Sequence, residues 1–169
     1  MLPVMAALAG RYPDYQFVVA GAPSTDASSY DRYLKGQPVA LVMDQTYPLL
    51  NSAHAALVTS GTATLETALL RIPQVVCYKG NWISYQIARR LITLNYISLV
   101  NLIMGSEVVT ELIQSELTPE RLEKELDAIL EGPRREKQLN AYEKLREKLG
   151  GEGASNKAAS LIVDFSRAS

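Results

Sequence analysis

Cysteine and histidine are almost absent from this chain, which has one of each, Cys77 and His54. A lone cysteine cannot close a disulfide within the chain, which fits a reducing, cytoplasmic compartment. One cysteine and one histidine cannot assemble a metal cluster. Cys77 stands in an apolar run and reads as a buried, inert thiol; His54 reads as a strand-edge residue. Neither sign of charge dominates: the formal net charge is −1, which gives no global pointer to nucleic acid. No apolar run approaches the roughly 18 residues of a membrane-spanning helix. The first residues lack the basic segment and long apolar core of a signal peptide. Internal repeats and low-complexity tracts are also missing.

What remains is a globular composition. The chain has 169 residues, 47% hydrophobic and 21% charged, which is enough for one domain with a real core. Apolar runs alternate with helical stretches. Residues Gln16–Gly21 (QFVVAG), Val39–Met43, Ala55–Ser60 and Gln74–Tyr78 (QVVCY) read as strands. Ser28–Leu34, Tyr47–Ala53, Thr62–Leu70 and Trp82–Leu91 read as helices between and after them. Strands that are continuously apolar are buried on both faces, the mark of a parallel sheet covered by helices. The predicted fold is therefore an α/β doubly wound domain.

After Gly105 the pattern predicts helices throughout, over Val108–Gln114, Thr118–Leu130, Arg134–Leu149 and Ser155–Phe165. Thr118-Pro119 offers an N-cap and a first-turn proline, with Glu120 near the positive end. Leu139, Tyr142, Leu145 and Leu149 form one apolar stripe on an otherwise charged helix. The chain opens on a helix, with Pro3 in its first turn, whereas doubly wound domains open on a strand that often lies mid-sheet. Upstream sequence is therefore expected.

The stretch LVTSGTATLETALL, Leu57–Leu70, concentrates the chemistry. A strand running straight into a helix leaves the first helical N–H groups unpaired at the carboxyl edge of the sheet, where open α/β sheets bind ligands. Gly61 permits close approach to the backbone, and Ser60, Thr62 and Thr64 add short hydroxyls. Glu66 shares a helix face with Thr62 and can accept two hydrogen bonds from a vicinal diol such as a ribose. The junction suits a nucleotide, with phosphates at Ser60–Thr64 and sugar at Glu66. The same residues are ordinary capping residues, and spacing alone leaves capping and phosphate binding open. The pattern is neither a P-loop nor a G-x-G-x-x-G fingerprint. Between Glu66 and Glu107 there is no acid, but there are Arg71, Lys79, Arg89 and Arg90. Four cations without an anion favour an anionic ligand; a solvated helix face is the competing reading for Arg89 and Arg90.

The stretch SGTATLETALLRIPQVVCYKGNWISYQIARRL, followed by YISLVNLIMGSEVVTELIQ, resembles the C-terminal half of the lipid-A-disaccharide synthase family. These are bacterial glycosyltransferases with two Rossmann-like domains, the GT-B fold. The resemblance covers essentially the whole chain. Its Ser-Gly-Thr-Ala-x-Leu-Glu segment is shared with other nucleotide-sugar enzymes, whereas the SLVNL segment is specific to the family. It implies a three-layer Rossmann-like parallel sheet over residues 1–130, incomplete at its N-terminus. Residues 131–169 would be helices packing back on this domain or on a missing one.

The resemblance also implies a function. The family joins UDP-2,3-diacylglucosamine to 2,3-diacylglucosamine 1-phosphate and releases UDP, and its C-terminal domain holds the donor. Ser60, Gly61, Thr62, Ala63 and Thr64 would hold the diphosphate and Glu66 the ribose. Tyr78 and Lys79 match an aromatic-basic pair, Asn101 and Glu107 match polar positions facing the cleft, and Gln45, in MDQTY, would meet uracil. No metal and no cofactor are implied.

Two departures stand out. Val100 replaces a usual proline. The family's opening strand, its Gly-Ser-Arg loop and the acceptor-binding domain with the general base are expected upstream, so the chain alone is expected not to catalyse. The partners implied are the donor, a lipid acceptor and that missing domain, with peripheral contact at the inner membrane and no nucleic acid; a homodimer is compatible with the family. NWISYQIARRL could lie on a membrane surface as a basic amphipathic helix, although packing of Trp82, Ile83, Ile87 and Leu91 on the sheet is preferred. The alternatives are another GT-B UDP-sugar enzyme, of peptidoglycan assembly or an epimerase, and a non-catalytic nucleotide-binding module paired with a separate chain.

Overall fold

The computed structural model describes residues 1–59, 61–80, 96–150, 153, 159–160 and 162–165. In chain order the elements are α1 (Leu2–Ala7), β1 (Phe17–Gly21), α2 (Ser28–Leu34), β2 (Val39–Met43), α3 (Thr46–Ser52), β3 (Ala56–Thr59), α4 (Thr62–Leu69) and β4 (Gln74–Tyr78). After them come α5 (Leu99–Met104), β5 (Thr110–Ile113), α6 (Pro119–Leu130) and α7 (Pro133–Leu149). Short 3-10 turns follow α1 and β5. The helix expected over Trp82–Leu91 lies outside the described residues, as does much of the one expected over Ser155–Phe165.

All strand pairs are parallel, as continuous apolar runs require. They form two sheets, β1-β2 and β3-β4-β5, where the sequence suggested one. β4 is central in its sheet, and from Gln74 to Cys77 it is buried. Successive side chains on a strand point to opposite faces. Val75 and Cys77 therefore face one core, with Leu112 and with Leu122, Leu126 and Ile129 of α6. Val76 faces the other, with Ala68 of α4, Val100 of α5, and Tyr142 and Leu145 of α7. Helices thus cover both faces, giving three layers. Burial pushes the Cys77 thiol up to about 12, so it is inert, as read.

One expectation is corrected. Val108–Gln114 is not a helix: Thr110–Ile113 is β5, registered alongside β4 with Val76 opposite Glu111. The VVTELIQ run fits a helical repeat, but β-branched Val108, Val109 and Thr110 favour a strand once a neighbour offers its edge. α5, just before it, was not anticipated. At α6 the cap is as read: the Thr118 hydroxyl accepts from the Arg121 N–H at 3.2 Å. On α7 the stripe holds for Tyr142 and Leu145, which are buried, and runs out at exposed Leu149.

Polar contacts help to pin these layers. The Gln138 amide grips the Gln74 backbone from α7, accepting from its N–H at 2.9 Å and donating to its carbonyl at 3.1 Å. Tyr142 adds its hydroxyl to Gln138 at 3.0 Å. At the amino edge, His54 donates to the Leu130 carbonyl at 2.8 Å.

Candidate functional site

β3 ends at Thr59 and α4 begins at Thr62, with Ser60 and Gly61 between them in sequence. Ser60 lies outside the described residues. Gly61 is the N-cap, with φ 126° and ψ −162°, a backbone region open to glycine almost alone. A Cβ there would meet nothing within 4 Å, so the requirement is one of backbone conformation beside open space. Because the N-cap residue is glycine, no side chain caps α4. Thr62 is exposed and Ala63 half-buried. Their N–H groups precede the first i→i−4 bond and lie at the positive end of the helix. Glu66 follows Thr62 by four residues and is half-buried.

Thr64 needs correction. It is fully buried, and its hydroxyl donates back to the Gly61 carbonyl at 2.8 Å, so it offers no donor to a ligand. A threonine in the first turn finds that carbonyl on its own helix and satisfies itself there.

The β3–β4 register, Thr59 opposite Cys77, carries Tyr78 and Lys79 to the level of Gly61. Lys79 is exposed at that carboxyl edge. The Tyr78 ring lies over Gly80, where an added Cβ would stand 2.6 Å from the phenol oxygen. Gly80 therefore leaves the space the ring occupies, a relation that the spacing alone does not signal. Gln45 is exposed at the carboxyl end of β2, in the N-cap position of α3. It shares the edge but belongs to the other sheet, beyond β1.

Two other residues, Glu107 and Arg71, are not brought to this edge. Glu107 is exposed in the loop leading into β5, hence at the amino edge, opposite Gly61 and Lys79. Arg71 follows α4 at the same amino edge and pairs with Glu143 of α7 at 2.8 Å. Arg89 and Arg90 lie outside the described residues.

Asn101 does not face a cleft. It is fully buried; its carbonyl accepts from the N–H groups of Val108 and Val109 at 2.8 and 3.0 Å, and its amide donates to the Val109 carbonyl and to Glu111, each at 2.8 Å. The chain needs those bonds to close the tight return from α5 to β5, which Gly105 starts in the left-handed region with φ 68°.

Sequence reasoning missed the hub of that return. Glu111, in the middle of β5, accepts from Ile97 N–H at 2.8 Å, Ser98 N–H at 2.9 Å, Ser98 hydroxyl at 2.7 Å and Asn101. The Ser98 hydroxyl in turn caps α5 by accepting from Asn101 N–H at 3.3 Å. The available signal was an acid inside an apolar strand, with a Ser-x-x-Asn helix start shortly before it. Val100, where a proline was expected, is the second residue of α5, a first-turn position that suits either residue.

Comparison with known proteins follows the same lines. A family model described as Lipid-A-disaccharide synthetase matches residues 4–165. The chain is 38% identical to a lipid-A-disaccharide synthase of Anaeromyxobacter dehalogenans (strain 2CP-1 / ATCC BAA-258), over 99% of this chain and 45% of that protein. It is 41% identical to one of Syntrophus aciditrophicus (strain SB), over 96% of this chain and 45% of that protein. It is 34% identical to one of Geobacter metallireducens, over 94% of this chain and 42% of that protein. The chain thus spans less than half the length of these curated relatives.

Proposed function

The chain belongs to the lipid-A-disaccharide synthetase family, and from that premise we propose that it is the UDP-sugar-binding part of a glycosyltransferase. The reaction joins UDP-2,3-diacylglucosamine to 2,3-diacylglucosamine 1-phosphate, forming the lipid A disaccharide and UDP. The observation that carries this reading is the start of α4, an N-terminus with no side-chain cap and with Gly61 at its N-cap in a backbone conformation that favours glycine, at the carboxyl edge beside Lys79.

In this reading the N–H groups of Thr62 and Ala63, the Ser60 and Thr62 hydroxyls, and Lys79 receive the diphosphate. Charge builds on that diphosphate as the glycosidic bond to the sugar breaks, and fixed dipoles and a cation aimed at it lower the barrier. Glu66 takes the ribose diol, and Tyr78, held over Gly80, walls the site. Gln45 would reach the base only from across the gap between the sheets. Asn101, Glu111 and Ser98 serve the framework. The general base and the acceptor site would come from a further domain. Among the described residues no helix is long and apolar enough to cross a membrane; acylated substrates suit an enzyme held peripherally at the cytoplasmic face of the inner membrane.

The test is UDP titration calorimetry on the chain, Glu66→Ala and Lys79→Ala. The expected result is saturable binding without added metal, weakened at least about tenfold in each variant, the loss of one charge-assisted contact. Equal affinity in Glu66→Ala, Lys79→Ala and the parent chain would refute the assignment.

A further inference from the structure

Gly61 opens the start of α4, because it leaves the helix without a side-chain cap. The same residue leaves that start loose. Glycine has no Cβ to confine it to a few backbone wells, so the peptide that follows it is free to swing. That peptide carries one of the two N–H groups on which the phosphate seat depends. The Gly61 carbonyl and the Thr62 N–H lie in one rigid plane and, in a trans peptide, point in opposite directions. Whatever fixes the carbonyl therefore aims the N–H.

Thr64 fixes it. Its hydroxyl donates to the Gly61 carbonyl at 2.8 Å, and its backbone N–H donates to the same oxygen at 3.2 Å. Thr64 is fully buried. The carbonyl is thus drawn inward, and the N–H of exposed Thr62 is turned the other way. Thr64 is braced in turn. Gln74 of β4, also fully buried, donates its side-chain amide to the Thr64 carbonyl at 2.9 Å. Gln138 of α7 grips the backbone of Gln74. A line of hydrogen bonds so runs from α7 through β4 to the peptide at the mouth of α4.

A second threonine in the helix supplies the comparison. The Thr67 hydroxyl donates to the Ala63 carbonyl at 2.7 Å, an ordinary back-bond of a helical threonine. The N–H in that peptide belongs to Thr64 and is already spent on the Gly61 carbonyl. Of the two bonds, only the one from Thr64 holds a peptide whose N–H stands at the open end of the helix.

We propose that Thr64 is a positioning residue for the donor diphosphate: its hydroxyl holds the Gly61 carbonyl and so keeps the Thr62 N–H aimed at the phosphate oxygens. A donor held in place before the ligand arrives is not reoriented on binding, and that gain appears as affinity. This role rests on the donor-site reading and adds to it a side chain that touches no ligand.

The test is UDP titration calorimetry on the parent chain, Thr64→Val, Thr64→Ser and Thr67→Val. The Thr62 amide is followed by proton–nitrogen NMR through the same titrations. Valine keeps the shape of threonine and removes the hydroxyl. UDP is expected to bind Thr64→Val about three- to tenfold more weakly, the loss of one hydrogen bond. Thr64→Ser restores the hydroxyl and is expected to recover most of the affinity. Thr67→Val makes the same deletion about one turn on and is expected to bind as the parent does. The Thr62 amide proton is expected to move downfield with UDP in the parent and in Thr64→Ser, and clearly less in Thr64→Val. Loss of stability alone does not produce that pattern. Urea unfolding checks that each variant is folded during the titration; should Thr64→Val not be, Thr64→Ala, a stronger helix former, takes its place in the same comparison. Equal affinity in the parent and in the variant lacking the Thr64 hydroxyl would overturn the proposal. So would equal weakening by Thr67→Val, or an undiminished Thr62 shift. A parent chain that binds no UDP would instead remove the donor-site reading, and the role of Thr64 with it.

Discussion

Replacing Glu111 by alanine is the sharpest test of how the C-terminal half is held. The carboxylate accepts four hydrogen bonds, and two of its donors belong to Ser98, which is fully buried. The loss is uneven. Asn101 keeps its bond to the Val109 carbonyl, and the Ser98 hydroxyl is free to reorient. Ile97 is half-buried, so its N–H can turn to water. The Ser98 N–H cannot, and a buried donor left unpaired costs about 1–3 kcal/mol. With smaller losses at the other three donors, Glu111→Ala should cost about 3 kcal/mol, a large part of an ordinary domain's stability. That corresponds to a fall of about 6–12 °C in Tm for a chain of this size. Urea unfolding followed by circular dichroism reads it as a lower midpoint at unchanged slope. Glu107→Ala is the internal control: the same residue type four positions away, exposed, and expected within about 0.5 kcal/mol of the parent. Equal stability of the two variants would refute the account of Glu111 as an anchor.

Three further outcomes are expected. Gln138→Leu strips the N–H and carbonyl of buried Gln74 of their side-chain partner and should lower stability by about 2–4 kcal/mol in the same urea assay. Thr118→Ala removes the α6 cap and should cost about 1 kcal/mol by thermal unfolding. The folded Cys77 thiol is pushed up to about 12 by burial, whereas the unfolded thiol ionises near about 8.5. Its contribution is therefore complete below the unfolded value and is lost as pH rises toward the folded one, at up to about 1.4 kcal/mol per pH unit. The urea midpoint should drop more between about pH 8 and pH 10 in the parent chain than in Cys77→Ala, which has no thiol to ionise.

The parts of this fold that sequence reasoning captured are those where local pattern and tertiary need coincide. QVVCY is continuously apolar because β4 is packed on both faces, and its bounds are as read. Ser28–Leu34 and Val39–Met43 are likewise where the periodicity puts them. β5 was misread because four residues of strand cannot outvote a helical repeat until a neighbouring edge is known. Division of the sheet into two is not written in either strand's own sequence; the opening helix gave the one hint, a mid-sheet strand expected upstream. At the junction, residue types pointed to an anion seat, but only coordinates could separate exposed Thr62 from buried Thr64, two positions on in the same helix.

The resemblance carried a subtler error, and its cause is physical. Two motifs were read as one site, because family-specific residues suggest contact with a family-specific ligand. The SGTATLE stretch does form an open edge. The SLVN and Glu111 residues form a closed network instead: Ser98 and Asn101 are fully buried, and their polar groups are already committed to partners within it. That network still bears on the candidate site, through the sheet. Glu111 fixes β5 beside β4, and the register sets Ile113 opposite Tyr78, one residue before Lys79. Loosening the anchor should therefore act on stability first and on UDP only through the placement of Tyr78 and Lys79. Affinity per folded molecule should fall less in Glu111→Ala than in Glu66→Ala, while stability falls more. The reverse order would mean that Glu111 itself meets the ligand and that the two motifs form one site after all.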